Sequence, residues 1–281
     1  MLRDLTDETR QEAAAKHRIV RPVIPRLALP ELADQSWWPA WARDAMTGYL
    51  HAIIVRTRPY GPAVPRLAAL LRETHTQHVV DLCSGAGGPW PTLHGELAAA
   101  GAVVEITCTD LAPNQLAARQ LGATPSVRYH ATSISALAVP STFVGARTMF
   151  TALHHFEAAD VRAILADAQA AGVPFGAFEA TNRSWRGLLA TVVIPIAVLA
   201  LMPVVQPRHW GALVLTYLPP LLPLAIWWDG LASTLRTYQA AELQRIVMSL
   251  PPAPYVWEIS ELAGGPLPVL ALIGRPREAA A

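Results

Sequence analysis

The sequence predicts an α/β fold: a doubly wound, mostly parallel sheet that ends in an antiparallel hairpin. Three observations predict it. The apolar pair Val79-Val80 ends in Asp81 and passes at once into Leu82-Cys83-Ser84-Gly85-Ala86-Gly87-Gly88-Pro89-Trp90, where three of four consecutive turn positions are glycine. Glycine admits positive φ and lets a ligand approach the main chain. A buried strand that feeds such a turn and then a helix is the first unit of a nucleotide-binding sheet. Downstream, strand-like and helix-like segments alternate. Near the end of the chain, 255–262 and 268–273 read as two strands that pair back on each other.

Taken in order, Thr6 or Asp7 caps a short helix to about residue 16. Pro22, Pro25 and Pro30 then hold the chain extended. A helix with Pro39 in its first turn follows Ser36 or Trp38, since proline is tolerated there. Trp41, Ala45, Met46, Tyr49, Leu50, Ile53 and Ile54 recur on one of its faces. Pro62 or Pro65 opens another helix through Leu71. After the glycine turn, 92–100 reads as a helix, 102–108 as strand two, 113–121 as a helix and 127–130 as strand three. Strand four is 147–151, followed by a helix over 158–170 and strand five at 174–179. Thr237 is expected to cap a helix containing Glu242, Leu243 and Ile246. The expected organisation is an N-terminal helical cap over 1–60, a core over 61–181, an apolar insertion over 182–230 and the rest of the core over 231–281.

Composition bounds the function classes. The 281 residues carry a formal net charge of +1, which implies no polyanion partner and no nucleic acid. Two cysteines, Cys83 and Cys108, make neither a disulfide framework nor a zinc site and read as reduced thiols at strand ends. The N-terminal segment is charged throughout and does not read as a secretory signal. Charged residues make up 15% of the chain, and mean hydropathy is positive at +0.29. The apolar excess is concentrated in 188–205 and 210–228, which hold no charge and are separated only by Gln206-Pro207-Arg208-His209. Each approaches the length of a membrane span, yet prolines interrupt both, as in re-entrant or interfacial helices. Trp210, Trp227 and Trp228 sit at segment ends, as interfacial anchors do. Two readings stay open: a hairpin that enters a membrane from its cytoplasmic face, or a lid packed on Trp37, Trp38 and Trp41. Either favours an apolar acceptor.

The turn decides the nucleotide class. The dinucleotide fingerprint G-x-G-x-x-G needs a third glycine where this chain has Trp90. Its strand-Asp-x-x-x-Gly-x-Gly pattern instead resembles motif I of class I S-adenosylmethionine (SAM) methyltransferases, which have a Rossmann-like core. Asp110 ends the second predicted strand, where a carboxylate can accept both ribose hydroxyls. Asp34-Gln35-Ser36-Trp37, the run from Asp81 to Pro89 (DLCSGAGGP), Gly145-Ala146-Arg147-Thr148-Met149-Phe150, Leu153-His154-His155-Phe156, Thr216-Tyr217, Asp229-Gly230 and Leu235-Arg236-Thr237-Tyr238 resemble, more closely, a bacterial group of methyltransferase-like proteins. This resemblance names no acceptor.

It implies SAM as cofactor, with contacts at Asp81, Cys83, Ser84, Gly85, Gly87, Gly88, Asp110, Leu111, Ser135, Ala136 and Thr151. Asp81 either holds the turn or meets the cofactor's amino group. Ser135 stands where related proteins commonly have an acid, and its hydroxyl reaches the adenine amine without charge assistance. His154 or His155 is the candidate base, because imidazole titrates near neutrality. Adjacent histidines on a turn are expected to point apart, and no third metal ligand lies close in sequence, so no metal is expected. Glu179 is expected at the same rim, as a substrate contact or paired with Arg183 or Arg186. Trp37, Trp38, Tyr217, Asp229, Arg236 and Tyr238 are the candidate substrate residues. The expected function is methyl transfer to a lipophilic small molecule or lipid-like acceptor, with a membrane-attached SAM-binding protein as the alternative.

Overall fold

A computed structural model describes residues 24–277 except 115–117, 120, 123, 125 and 207. The helix expected at 6–16 and Pro22 lie outside the described residues. Seven strands form one sheet in the order β3-β2-β1-β4-β5-β7-β6. These are β1 (His78–Asp81), β2 (Glu105–Cys108), β3 (Val127–Tyr129), β4 (Ala146–Phe150), β5 (Phe175–Glu179), β6 (Tyr255–Leu262) and β7 (Val269–Pro276). The first five pair in parallel, and β7 joins β5 and β6 antiparallel. The sheet is the expected one, with each boundary moved by only a few residues. Strand two is the largest trim: Ala102 and Val104 pack into the core without pairing in the ladder.

Register explains why β1 and β4 are all but continuous buried runs. Both lie between other strands, with helices covering each face. One face packs α2 (Val64–Glu73) and α3 (Trp90–Ala99) through Leu67, Leu71, Leu93 and Leu97 onto Ile106, Phe150 and Phe178. The other packs α4 (Ala158–Ala170) and α9 (Ala240–Met248) through Val161, Leu165, Leu243 and Ile246 onto Phe175 and Leu272. Gly145 enters β4 at φ 132°, and a Cβ there would lie 2.3 Å from the His78 carbonyl oxygen. Glycine is what lets β4 approach β1.

A third apolar cluster lies beside the sheet. Helix α1 (Ala40–Thr57) buries Ala45, Met46, Tyr49 and Ala52 against the insertion. The insertion comprises α5 (Trp185–Thr191), α6 (Ile194–Leu201), α7 (Trp210–Tyr217) and α8 (Leu221–Arg236). Three details depart from expectation. Pro39 caps α1 rather than sitting in its first turn, and Leu50 faces outward. Helix α8 runs unbroken through Gly230, so insertion and C-terminal core share one rod. The cap of α9 is Gln239, in a reciprocal box with Glu242, while Thr237 ends α8 and donates to the Ser233 carbonyl.

Candidate functional site

The carboxyl ends of β1, β2 and β4 meet where chain order reverses across the sheet, the place at which open α/β sheets form a ligand crevice. The glycine turn lies there. Gly85, Gly87 and Gly88 have φ of 52°, 95° and 52°, and Cys83 shares the left-handed region at 58°. No heavy atom lies within 4 Å of where a Gly85 Cβ would point, whereas one on Gly87 would strike Leu121 at 2.6 Å. The first glycine leaves open space and the second permits packing.

Asp81 is buried beneath the turn. Its Oδ2 accepts from the Ser84 hydroxyl at 2.6 Å and its Oδ1 from the Thr148 hydroxyl at 2.7 Å. Both oxygens are therefore engaged in holding the turn to β4. Burial pushes its carboxyl up to about 6, against the lowering effect of these bonds. Asp110 bridges two loops. Its Oδ2 accepts from the Gly85 amide at 2.8 Å and its Oδ1 from the Ala112 amide at 2.9 Å. One side chain thus ties the glycine turn to the loop after β2.

The loop after β3 completes this rim. Ile134 donates its amide to the Asp110 carbonyl, and Ser133 donates to the Leu111 carbonyl, bringing Leu111, Ser135 and Ala136 beside Asp110. The Ser135 hydroxyl accepts from the Leu137 amide at 3.2 Å. Sequence reading missed Tyr129, whose hydroxyl donates to the Gly85 carbonyl at 2.9 Å. It also missed Tyr60, whose hydroxyl lies 2.6 Å from that of Thr151. Thr151 sits at φ 48° at the end of β4 and accepts from the Ala180 amide. Trp90, where a dinucleotide site has glycine, is fully buried and packs edge-on to Phe150, with ring centroids 5.4 Å apart.

A second polar cluster lies past β4 and β5. Glu179 does not reach the solvent rim, as expected from sequence, but turns inward and is buried. Its Oε1 accepts from the Ala152 and Leu153 amides at 2.9 and 2.8 Å, and its Oε2 meets His154 Nδ1 at 2.9 Å. Burial alone would raise its pKa; His154 and the two amides outweigh that and hold it below the ordinary value. Neither expected arginine pairs with it, and Arg183 pairs with Glu242. The two histidine rings lie side by side, centroids 4.3 Å apart and tilted by 34°, so they do not point apart. His155 Nδ1 lies 3.1 Å from Asp34 Oδ2. Burial works against a charge on His155, but the Asp34 bond and the charges of Glu31 and Asp34 outweigh it and raise the pKa.

Four expected substrate residues are occupied by framework contacts. Arg236 gives its guanidinium to the His154 and His155 carbonyls and to Glu31 and Asp34. Tyr238 donates to the Phe156 carbonyl, and Tyr217 to the Leu199 carbonyl. Asp229 accepts the Leu32 and Ala33 amides. The Asp229 and Arg236 bonds, with the Leu27 amide on the Leu235 carbonyl, strap residues 24–35 across the β4 and β5 ends. Trp38 packs against the insertion cluster, whereas Trp37 is 66% exposed. Glu31, the strap's buried acid, carries no sequence signal that sets it apart from its charged neighbours Arg26 and Asp34.

A cleft of about 290 Å³ opens between α1, the start of α3 and the insertion, lined by His51, Ala52, Pro91, Leu121 and Val204 among others. Leu121 connects it to the glycine turn. His51 Nδ1 is buried there without a hydrogen-bond partner, and burial lowers the pKa of its ring. A neutral imidazole beside a mostly apolar cleft can accept a proton from an acceptor group.

No family model matches this sequence, and no curated protein matches it. Among solved structures it is similar to the plantazolicin methyltransferase BpumL in complex with SAH, at 10% identity and TM-score 0.56, covering 88% of this chain and 94% of that one. The same enzyme with SAH and a pentazolic desmethylPZN analog aligns at 10% identity and TM-score 0.56, covering 88% and 95%. The likeness shows the fold: a Rossmann-like, mostly parallel sheet with the antiparallel closing hairpin.

Proposed function

We propose that this chain is an SAM-dependent methyltransferase that acts on a hydrophobic small molecule or lipid-like acceptor at a membrane surface. The carrying observation is the crevice at the chain-reversal point. There a left-handed glycine turn with open space at Gly85 faces a carboxylate, Asp110, on a fold shared with an SAH-bound methyltransferase. The Gly85 bond holds Asp110 where its two oxygens can exchange amide partners for ribose hydroxyls. The loop amides suit the methionine end, and Ser135 and Ala136 the adenine. Within this fold we place the chain with the bacterial group that the DLCSGAGGP run resembles.

Methyl transfer from a sulfonium needs alignment more than acid–base machinery. A framework role for Glu179 and His154 is therefore compatible with it, and His51 supplies a neutral imidazole on the cleft side. The acceptor class rests on the insertion. The helical run Trp185–Val204 is long and apolar enough to cross a membrane, and most of it is exposed. Trp185, Leu189, Val192, Val193 and Ile196 are all more than half exposed and recur on one face. Helices α7 and α8 meet at 87°, as in a re-entrant or broken span. The insertion's other face packs on α1, so the lid and membrane readings describe its two sides. A bilayer surface covers such a stripe, with its tryptophans at the headgroup level.

Calorimetric titration with SAM tests the first part, with Asp110→Ala as control. Mass spectrometry of lipid extracts incubated with SAM and the protein tests the second, the product being one methylene heavier. Tight SAM binding with no product across a broad acceptor panel assigns the chain to the binding-only alternative.

A further inference from the structure

We propose that Glu31, His154 and His155 form a binding site for a zinc-class divalent cation, with an open position for an oxygen donor. The proposal goes beyond methyl transfer and does not depend on SAM. The third ligand that the local sequence lacks comes from the strap, where Glu31 is buried. One ligand atom from each of the three residues lies within 4.8 Å of the others. His154 Nε2 stands 3.6 Å from Glu31 Oε1, and His155 Nε2 4.0 Å from Glu31 Oε2. Metal–ligand bonds of about 2.0–2.1 Å in a tetrahedron put donor atoms about 3.3 Å apart, so approaches of up to about 1.5 Å close the set.

The outer contacts match those of metal ligands. Each histidine has Nδ1 on a carboxylate oxygen, His154 on Glu179 and His155 on Asp34. An ionised carboxylate only accepts, so each Nδ1 carries its hydrogen, and in the neutral ring the Nε2 lone pair is left to ligate. Arg236 Nη1 meets Glu31 Oε1 at 3.4 Å and so orients the carboxylate, as outer partners orient ligating carboxylates. The independent observation is His154 itself. It is 1% exposed, and its Nε2 is buried, faces Glu31 and has no hydrogen-bond partner. An imidazolium there would donate to Glu31, but 3.6 Å is too long for that bond. Charge agrees: among the described ion pairs Glu31 and Asp34 share one arginine, Arg236, and Glu179 meets no arginine. His155 is 35% exposed at its side chain, which opens the remaining position to solvent or to an acceptor oxygen.

The test uses the full chain, stripped with chelator and titrated with Zn²⁺, and with Co²⁺ for its visible spectrum, at about pH 8 so that protons compete less for imidazole. We expect one equivalent of metal per chain and an intense Co²⁺ spectrum of low coordination number. Glu31→Gln and His155→Asn should each weaken uptake by roughly 100-fold while circular dichroism is retained. Glu31 also anchors Arg236, so if Glu31→Gln melts early the partly exposed His155→Asn decides. No stoichiometric uptake, or equal uptake in folded His155→Asn, overturns the site and assigns the cluster to an ion-pair network. SAM titration on the same stripped protein reads the methyltransferase proposal separately.

Discussion

Asp110 and Asp81 stand two loops apart in the sequence and act on one turn from opposite sides. Asp110 faces the crevice and spends its oxygens on two amides that a ribose could replace. Charge-assisted bonds contribute about 1.5–3 kcal/mol each. Asp110→Ala is therefore expected to weaken SAM binding by roughly 100-fold or more in calorimetry, and to abolish turnover at ordinary SAM concentration. Asp81 lies underneath, with a pKa raised to about 6 by burial. For an acid whose folded pKa exceeds its unfolded value, the favourable contribution is present below about pH 4 and lost as pH rises through about 6. Asp81→Asn should then be more stable than the parent above that range, by about 1–3 kcal/mol, with the difference vanishing below it. Urea melts across pH check the sign. A stability gap that does not change with pH would mean that the buried carboxyl is not the cause.

Among elements, the β1–β4 pair carries the site. Cys83 and Thr151 both take left-handed φ just past the ends of these strands, a conformation that costs non-glycine residues about 1–3 kcal/mol each. The strain is sustained by Thr148, Thr151 and Tyr60, whose hydroxyl contacts join β1, β4, β5 and the segment ahead of α2. Gly145 is where that pair is most exposed to mutation. Gly145→Ala forces a Cβ against the His78 carbonyl and demands an unfavourable φ, so we expect a loss of about 3 kcal/mol or more by urea unfolding. Under the proposed membrane association, the outward face of the apolar insertion meets lipid rather than water. Leu189→Glu and Ile196→Glu alter only its outward face. They should leave thermal stability nearly unchanged while lowering partition to lipid vesicles by about tenfold or more in flotation assays. Equal flotation of parent and variants would remove the membrane from the proposal.

At the scale of the whole molecule, three layers of packing converge on one rim. Two cover the sheet, and the third joins α1 to the insertion. The strap over residues 24–35 ties the third layer to the first two through Asp229, Arg236 and Glu31. Detaching it should loosen the insertion and the histidine turn together. Asp229→Ala removes the acceptor of two strap amides and is expected to raise proteolytic cleavage near residues 24–35 and to lower the melting temperature by several degrees. Unchanged cleavage would show that the strap is held by its other contacts.

The sequence by itself determined the strands, the glycine turn and the closing hairpin. Strand periodicity, glycine at left-handed positions and an acid at a strand end are local consequences of backbone sterics and burial. Asp110 was legible for the same reason, because its position follows from where β2 ends. The tertiary structure alone decided which polar groups remain available. Arg236, Tyr238, Asp229 and Glu179 read as substrate or catalytic groups, yet partners up to 207 residues away take up their hydrogen bonds. It also decided that the two histidines face the same way and meet Glu31. No spacing encodes a contact closed by a strap folding back across the sheet, since that contact depends on distant residues burying their charges together.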